Sequence, residues 1–291
     1  MTADLTETIP REGDRAGSGA LSRQPRAVRR IRRPNPASIL GYSLIGAIAL
    51  SAVFADVIAP VSPWKSVDLP FQAPGSGHLF GTDDLGRDVF SGVVHGARTS
   101  LIVAMAAVLM SNSLGILLGL FSGYSGGWID DAVMRFTEFF QVMPRFFLAL
   151  IAIALFQPGL PTITLVLGLT SWTTGTRLLR AQVLSARERE FVLAARALGA
   201  GHIFTIRRHI LPNTITPIIV HGALMVGRVM LTEASLAFLG LGDPNNISWG
   251  YMLSNAQPFL RTAWWMALFP GLALSLAVLG FNLAGDGLRR R

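Results

Sequence analysis

TSLIVAMAAVLMSNSLGILLGLF, Thr99–Phe121, decides the fold: it carries no charged side chain, and it is long enough to cross the hydrocarbon of a bilayer as a helix, which takes ~20 apolar residues. Five further stretches share its character: Ala37–Ala59 before it, then Val133–Phe156, Leu160–Leu179, Thr214–Leu239 and Ala263–Ala284. The composition agrees, because 51% hydrophobic and 14% charged residues, with a mean hydropathy of +0.48, leave too little polar surface for a soluble globule of 291 residues. The expectation is an all-α integral membrane protein with about six transmembrane helices and both termini on one side. The third stretch contains Glu138, Pro144 and Arg145, so part of it is expected along the interface. Glu138 and Arg145, seven apart, are expected on one helix face.

The net charge of +8 is compatible with nucleic acid or an anionic surface until its distribution is read. Eight arginines lie in the polar tail 1–36, seven basic residues fall from Arg177 to Arg208, and Arg135, Arg289, Arg290 and Arg291 complete one side. The other side holds only Lys65, Arg87, Arg98 and Arg261. Nineteen against four is a positive-inside pattern, which predicts cytoplasmic termini in a cell-membrane protein and no nucleic-acid partner. The chain divides into a disordered basic tail (1–36), a first span with an extracytoplasmic loop (37–96), the main transmembrane domain (97–287) and a basic end (288–291). Trp249, Tyr251, Trp264 and Trp265 are expected to form an interfacial aromatic belt.

The most informative polar segment lies between the fourth and fifth spans: SAREREFVLAARALGAGHIFTIRRHILPN, Ser185–Asn213. Ser185 and Glu188 make a capping-box pattern that predicts a helix start, with Glu188 and Glu190 favourable at its N-terminus. Phe191, Ala194, Ala195 and Leu198 recur at helical spacing as one apolar stripe, which Gly199 and Gly201 terminate. A second short helix with Ile203, Ile206 and Ile210 on one face is predicted to end at Pro212. Such a pair needs cover for its apolar faces, either lipid headgroups or a groove on a cytoplasmic partner.

Ala194-Ala195, three residues, Gly199, nine residues and then His209-Ile210-Leu211-Pro212 resemble the "EAA loop" of permease subunits in bacterial ABC importers. Leu193 stands where that motif has glutamate, and His209 where isoleucine is usual. Glu190-Phe191-Val192 and the HILPN ending are similar to the peptide and nickel branch. Phe80–Leu101, FGTDDLGRDVFSGVVHGARTSL, resembles the outer-loop signature of the second ("C") subunit of dipeptide and oligopeptide permeases, as do Leu231–Gly242 and Ser248–Leu253. The resemblance implies a type I ABC importer permease fold in which the loop 185–213 forms coupling helices, with Glu190, Ala194, Ala195, Gly199, His209, Leu211 and Pro212 as its site residues. It further implies a second homologous permease subunit, two ATPase subunits or domains that carry ATP with magnesium, and an extracytoplasmic solute-binding protein. No cofactor is expected on this chain. Dipeptides, longer peptides, nickel chelates and glutathione-like solutes all remain open as cargo.

In the outer signature Gly81, Thr82, Asp83, Gly86, Arg87 and Asp88 read either as a capped turn with local ion pairs or as a contact for an external partner. Within the fifth span, Arg228 and Glu233 need protein or water around them, because an unpaired charge in hydrocarbon costs several kcal/mol. Five residues apart places them about 140° from each other on a helix, so they need separate partners, either between helices or along the solute path. Enzyme signatures are missing. Lys65 follows Trp64, which rules out a phosphate-binding loop of the G-x-x-x-x-G-K type, and the five histidines lack metal-ligand spacing. An ion-coupled secondary transporter or a membrane scaffold are the competing readings.

Overall fold

The computed structural model describes residues 36–75 and 77–289. Apart from Pro36, the tail read from 1–36 lies outside the described residues, as do Arg290 and Arg291. The described chain is helical: α1 (Pro36–Val53), α2 (Ala55–Ile58), α3 (Val89–Ser125), α4 (Gly127–Val142), α5 (Arg145–Phe156), α6 (Leu160–Arg187), α7 (Glu190–Ala197), α8 (His202–Thr205), α9 (Leu211–Thr214), α10 (Thr216–Leu236), α11 (Trp249–Ala256) and α12 (Trp265–Arg289). A π turn, Ile206–Ile210, joins α8 to α9, and a second, Ala237–Leu241, continues α10. Among the described residues there are no strands, only isolated bridges between Ser66 and Arg87 and between Thr82 and Asp88.

Four helices, α1, α3, α10 with its π turn and α12, are long and apolar enough to cross a membrane; α4 and α5 add a fifth crossing if the bent pair is one span. α6 has the length, 28 residues, but its middle, TSWTTGTR from Thr170 to Arg177, is polar. The all-α membrane fold read from the sequence therefore holds, with one long helix more polar than the rest. The stretch Val133–Phe156 is bent by 81°. Pro144 has no N–H for the ladder, and its ring drives Met143 into an extended conformation (φ −72°, ψ 127°), which ends α4. Glu138 on α4 and Arg145 at the start of α5 thus do not share a helix face, contrary to their seven-residue spacing.

Lipid tails are as apolar as leucine, so helices in a bilayer associate through close packing and polar ties more than through hydrophobicity. α3 and α6 supply both. Gly115, Gly119 and Gly123, four residues apart on α3, bring its backbone onto α6: a Cβ on Gly119 would lie 2.7 Å from the Thr176 carbonyl oxygen, and one on Gly123 would lie 2.9 Å from the Val183 Cβ. Near the end of this seam, Arg180 on α6 donates from Nε and Nη2 to the two carboxylate oxygens of Asp130 on α4, each at 2.6 Å. Ser122 on α3 donates its hydroxyl to the same carboxylate. At the opposite end, Asp243 accepts from the backbone N–H of Leu160, 2.9 Å, and of Asn245, 2.8 Å, and so caps α6. Burial works against that carboxylate, but the N–H groups of Leu160, Asn245 and Asn246 outweigh it and hold its pKa below the ordinary value.

α1 lies along α12 with similar economy of side chain, Gly41 facing Gly280 and Ala284, and Ser38 facing Gly287. The beginning of α1 and the end of α12 consequently share one end of the bundle. Arg98 on α3 donates to the carbonyls of Ala52 (3.0 Å) and Val53 (3.3 Å) and to Asp56 (2.9 Å), satisfying the C-terminus of α1. The core where α3, α5, α6, α10 and α12 meet is built from Val103, Ala107, Ile153, Ile163, Met230 and Ala277.

If the glycine seam sets the α3–α6 distance, Gly119→Leu forces the helices apart and lowers the melting temperature of the purified protein by several degrees, as overpacking of about 1–3 kcal/mol does. Gly46→Leu on α1, where an added Cβ meets nothing within 4 Å, is the matched control and leaves melting unchanged. Equal melting of both variants contradicts the seam.

Candidate functional site

The segment 185–213 hangs from the end of α6. That helix does not stop near Leu179 but runs to Arg187, because Leu179, Val183 and Ala186 stay buried against Ile210, Ile218 and Val192. Ser185 is therefore inside α6, and the capping box expected from Ser185 and Glu188 does not form; α7 starts at Glu190 behind Arg189, with no side-chain cap. Burial of the adjacent apolar positions overrides the local cap signal. α7 ends in a Schellman arrangement, with Ala200 N–H bonded to the Ala195 carbonyl and Gly199 N–H to Arg196, both at 3.0 Å. Gly199 supplies the φ of +85° that this turn requires.

The stripe Phe191, Ala194, Ala195 and Leu198 points outward, while Val192 is the buried residue of α7. Leu198 is 89% exposed. The helix beyond Gly201 does not end at Pro212: the π turn closes at Ile210, with Leu211 N–H reaching back to the Ile206 carbonyl, and α9 restarts at Leu211, so the missing proline N–H falls in its first turn. Nor do its isoleucines form one face, since Ile210 is fully buried and Ile203 is 73% exposed. His209 packs its ring against Phe191 and Phe204, with centroids 6.2 and 5.8 Å away. These side chains, with Ala194, Ala195 and Leu198, form an open apolar groove of about 650 Å³. Glu190 begins α7 on the exposed surface, and Leu211 and Pro212 begin α9 beyond the π turn. Tyr124 at the end of α3 bonds His202 Nδ1 at 2.8 Å, tying the loop to the bundle.

The outer signature lies at the opposite end and is bonded inward. Asp88 accepts from Ser91 N–H at 2.8 Å and caps α3. Asp83 accepts from the N–H of Leu85 (2.9 Å) and Arg87 (2.7 Å), although burial pushes its carboxyl above the usual carboxylate range. Thr82 donates to the Leu69 carbonyl, and its own carbonyl accepts from Trp265 Nε1 at 3.0 Å. Gly81 and Gly86 hold positive φ, and a Cβ on Gly86 would lie 2.0 Å from the Asp68 carbonyl oxygen. Arg87 stands over the Trp64 ring at 5.2 Å. The expected aromatic belt is corrected here: Trp249 and Trp265 are buried, with indole N–H groups satisfied by Val93 and Thr82, leaving Trp264 as the exposed tryptophan of the group. Both rings lock α11 and α12 onto the outer loop and α3.

The structure separates Arg228 from Glu233. Glu233, 3% exposed, accepts a hydrogen bond from Ser248 Oγ at 2.8 Å, and Ser248 in turn caps α11 through Tyr251 N–H. It is an interhelical tie. Arg228 faces a cleft of about 170 Å³ between α6 and α10, with Thr170, Ser171, Thr174, His221 and Thr232 among its walls. Sequence reasoning passed over the Asp130–Arg180–Ser122 cluster and the Asp243 cap, whose partners are far apart in the chain. A signal for the cleft was present in the polar positions Thr170, Ser171 and Thr174, which share one face of a helix.

Glu233→Gln keeps an acceptor for Ser248 and is expected to preserve complex yield and melting. Glu233→Leu leaves the Ser248 hydroxyl without its acceptor, at about 1–3 kcal/mol, and lowers both. Melting curves of the two variants check this, and a stable leucine variant refutes the tie.

The family of binding-protein-dependent transport system inner membrane components matches residues 115–291. The dipeptide transport system permease protein DppC of Alkalihalophilus pseudofirmus is 40% identical over 259 residues, 88% of this chain and 85% of that protein. The di/tripeptide transport system permease protein DppC of Pseudomonas aeruginosa is 36% identical over 263 residues, 88% of this chain and 87% of that protein. Among solved structures, the methionine ABC transporter MetNI in inward-facing conformations superposes with a TM-score of 0.55 at 18% identity, over 68% of this chain and 95% of that one, which is likeness of fold. The chain belongs to the binding-protein-dependent transport system inner membrane components and is a permease subunit of an ABC importer.

Proposed function

We propose that this subunit carries dipeptides or similarly small peptides into the cell by alternating access. A second, homologous permease subunit completes the passage, and a solute-binding protein delivers cargo to the outer mouth. Two separate ATPase subunits hold ATP and magnesium, and this chain makes or breaks no bond of the cargo. The observation that carries the reading is the apolar groove of α7 and α8, which turns Phe191, Leu198 and Phe204 away from the bundle at the end of an uninterrupted α6. An exposed apolar groove at the end of a stiff helix suits a docked protein. The dipeptide and di/tripeptide names of the relatives support the cargo class. An ion-driven secondary transporter has less support: it would want a titratable carboxylate on the solute path, whereas Glu233 is buried against Ser248.

The basic asymmetry supports a cytoplasmic position for the groove and for both termini. In this cysteine-free chain, Leu79→Cys, in the outer loop, is expected to react with an impermeant thiol reagent in unbroken cells, and Leu198→Cys only after lysis. The reverse labelling order inverts the topology.

Valine at the +85° φ of Gly199 costs about 1–2 kcal/mol and misaligns α7 against α8. Gly199→Val should therefore insert and pair normally while recovering less ATPase on co-purification and showing weaker solute-stimulated hydrolysis. Leu198→Asp, which leaves the backbone alone, should do the same. Equal ATPase recovery by wild type and both variants overturns the docking role of the groove.

A further inference from the structure

We propose that Arg228 is a binding subsite for the carboxylate of the solute, set at mid-membrane on the wall of the cleft between α6 and α10. The inference rests on the peptide-importer reading and adds to it the group that the passage recognises. Arg228 lies ~18 Å along α10 from Thr216, close to the middle of the apolar stretch Thr216–Leu241. A permanent cation is least tolerated at that depth and requires water or a counter-charge. Among the described residues no carboxylate lies within ion-pairing distance of it. Among the described residues, Arg180 is engaged by Asp130, Arg98 by Asp56 and helix carbonyls, and Arg177 by Gln141.

Arg228 is instead exposed within its surroundings and shares its cleft with hydroxyls from both helices. Thr170, Ser171 and Thr174 on α6 face His221, Arg228 and Thr232 on α10, so two polar stripes oppose each other where the neighbouring faces are apolar. Arg228 brings a fixed positive charge to this cleft, which matches a group bearing negative charge, such as a peptide carboxylate. The planar guanidinium can hold both oxygens of a carboxylate in parallel hydrogen bonds. Thr170 and Thr232 donate their hydroxyls to the Val166 and Arg228 carbonyls and keep oxygen lone pairs for the N–H groups of the solute, and the shallow, partly open cleft lets the group leave again.

The test uses the complete transporter, with both permeases, ATPases and binding protein, reconstituted in vesicles. Uptake is compared for dialanine and for its C-terminal amide, by wild type, Arg228→Gln and Arg228→Lys. The binding-protein step is common to all three permeases, so it cancels when the acid-to-amide ratio is compared between them. Arg228→Gln should lower that ratio about tenfold or more, the loss expected for a charged hydrogen-bond partner, while Arg228→Lys restores part of it. Equal loss of acid and amide uptake in Arg228→Gln, or reduced complex yield that accounts for the whole loss, would mean that Arg228 serves the second subunit or the fold, and overturns the subsite. Uptake of neither probe by wild type overturns the peptide-importer reading itself, and the subsite with it.

Discussion

The bidentate pair of Arg180 and Asp130 is the constraint on which the loop-bearing end of the molecule depends. Ser122 completes it, so one carboxylate joins α3, α4 and α6. Among the described residues it is the ion pair with two short parallel bonds, the arrangement in which arginine gains most over lysine. Removing either partner strands the other charge beside apolar helices, which is the expensive way to lose an ion pair. The glycine seam of α3 then lets the α6 backbone approach closely enough for the pair to form.

Much of this was readable in the amino-acid order. The long apolar stretches defined the helices, and the loop between Ser185 and Asn213 announced itself as paired short helices broken at Gly199. The failures share a cause. Ser185 and Glu188 are good local capping chemistry, yet α6 continues through Ser185 to Arg187 because Val183 and Ala186 are buried by residues that arrive later in the chain. Pro212 is a good local stop, yet a π turn ends just before it and the helix restarts at Leu211 with the proline in its first turn. Trp249 and Trp265 resemble interfacial anchors until their N–H groups are found bonded to Val93 and Thr82, more than a hundred residues away. Local rules yielded wherever tertiary burial supplied a competing partner.

The charges in the spans show the same division more sharply. Arg228 and Glu233 look alike in sequence, both embedded in one apolar helix, and the 140° between them said only that they differ in direction. Direction proves decisive. Glu233 turns towards α11 and finds Ser248, while Arg228 turns towards α6 and finds a cleft lined by hydroxyls. One is used up by the fold, and the other is left for chemistry outside the fold.

α6 connects these features physically. It is a single helix of 28 residues, ~42 Å long, capped at Leu160 by Asp243, walling the cleft at Thr170, Ser171 and Thr174, clamped at Arg180 by Asp130 and leading after Arg187 into the groove. No proline or glycine kink relieves it between the cleft and the clamp, and Gly175 lies in regular helix. A stiff rod held at these points cannot absorb a displacement of its end by local bending alone. Under the proposed docking, a push on α7 must therefore be shared with α3 and α4 through the Asp130 carboxylate, and it reaches the cleft as a change in the separation of α6 from α10. The polar middle of α6, which makes it the poorest membrane span by composition, is what that movement would open or close.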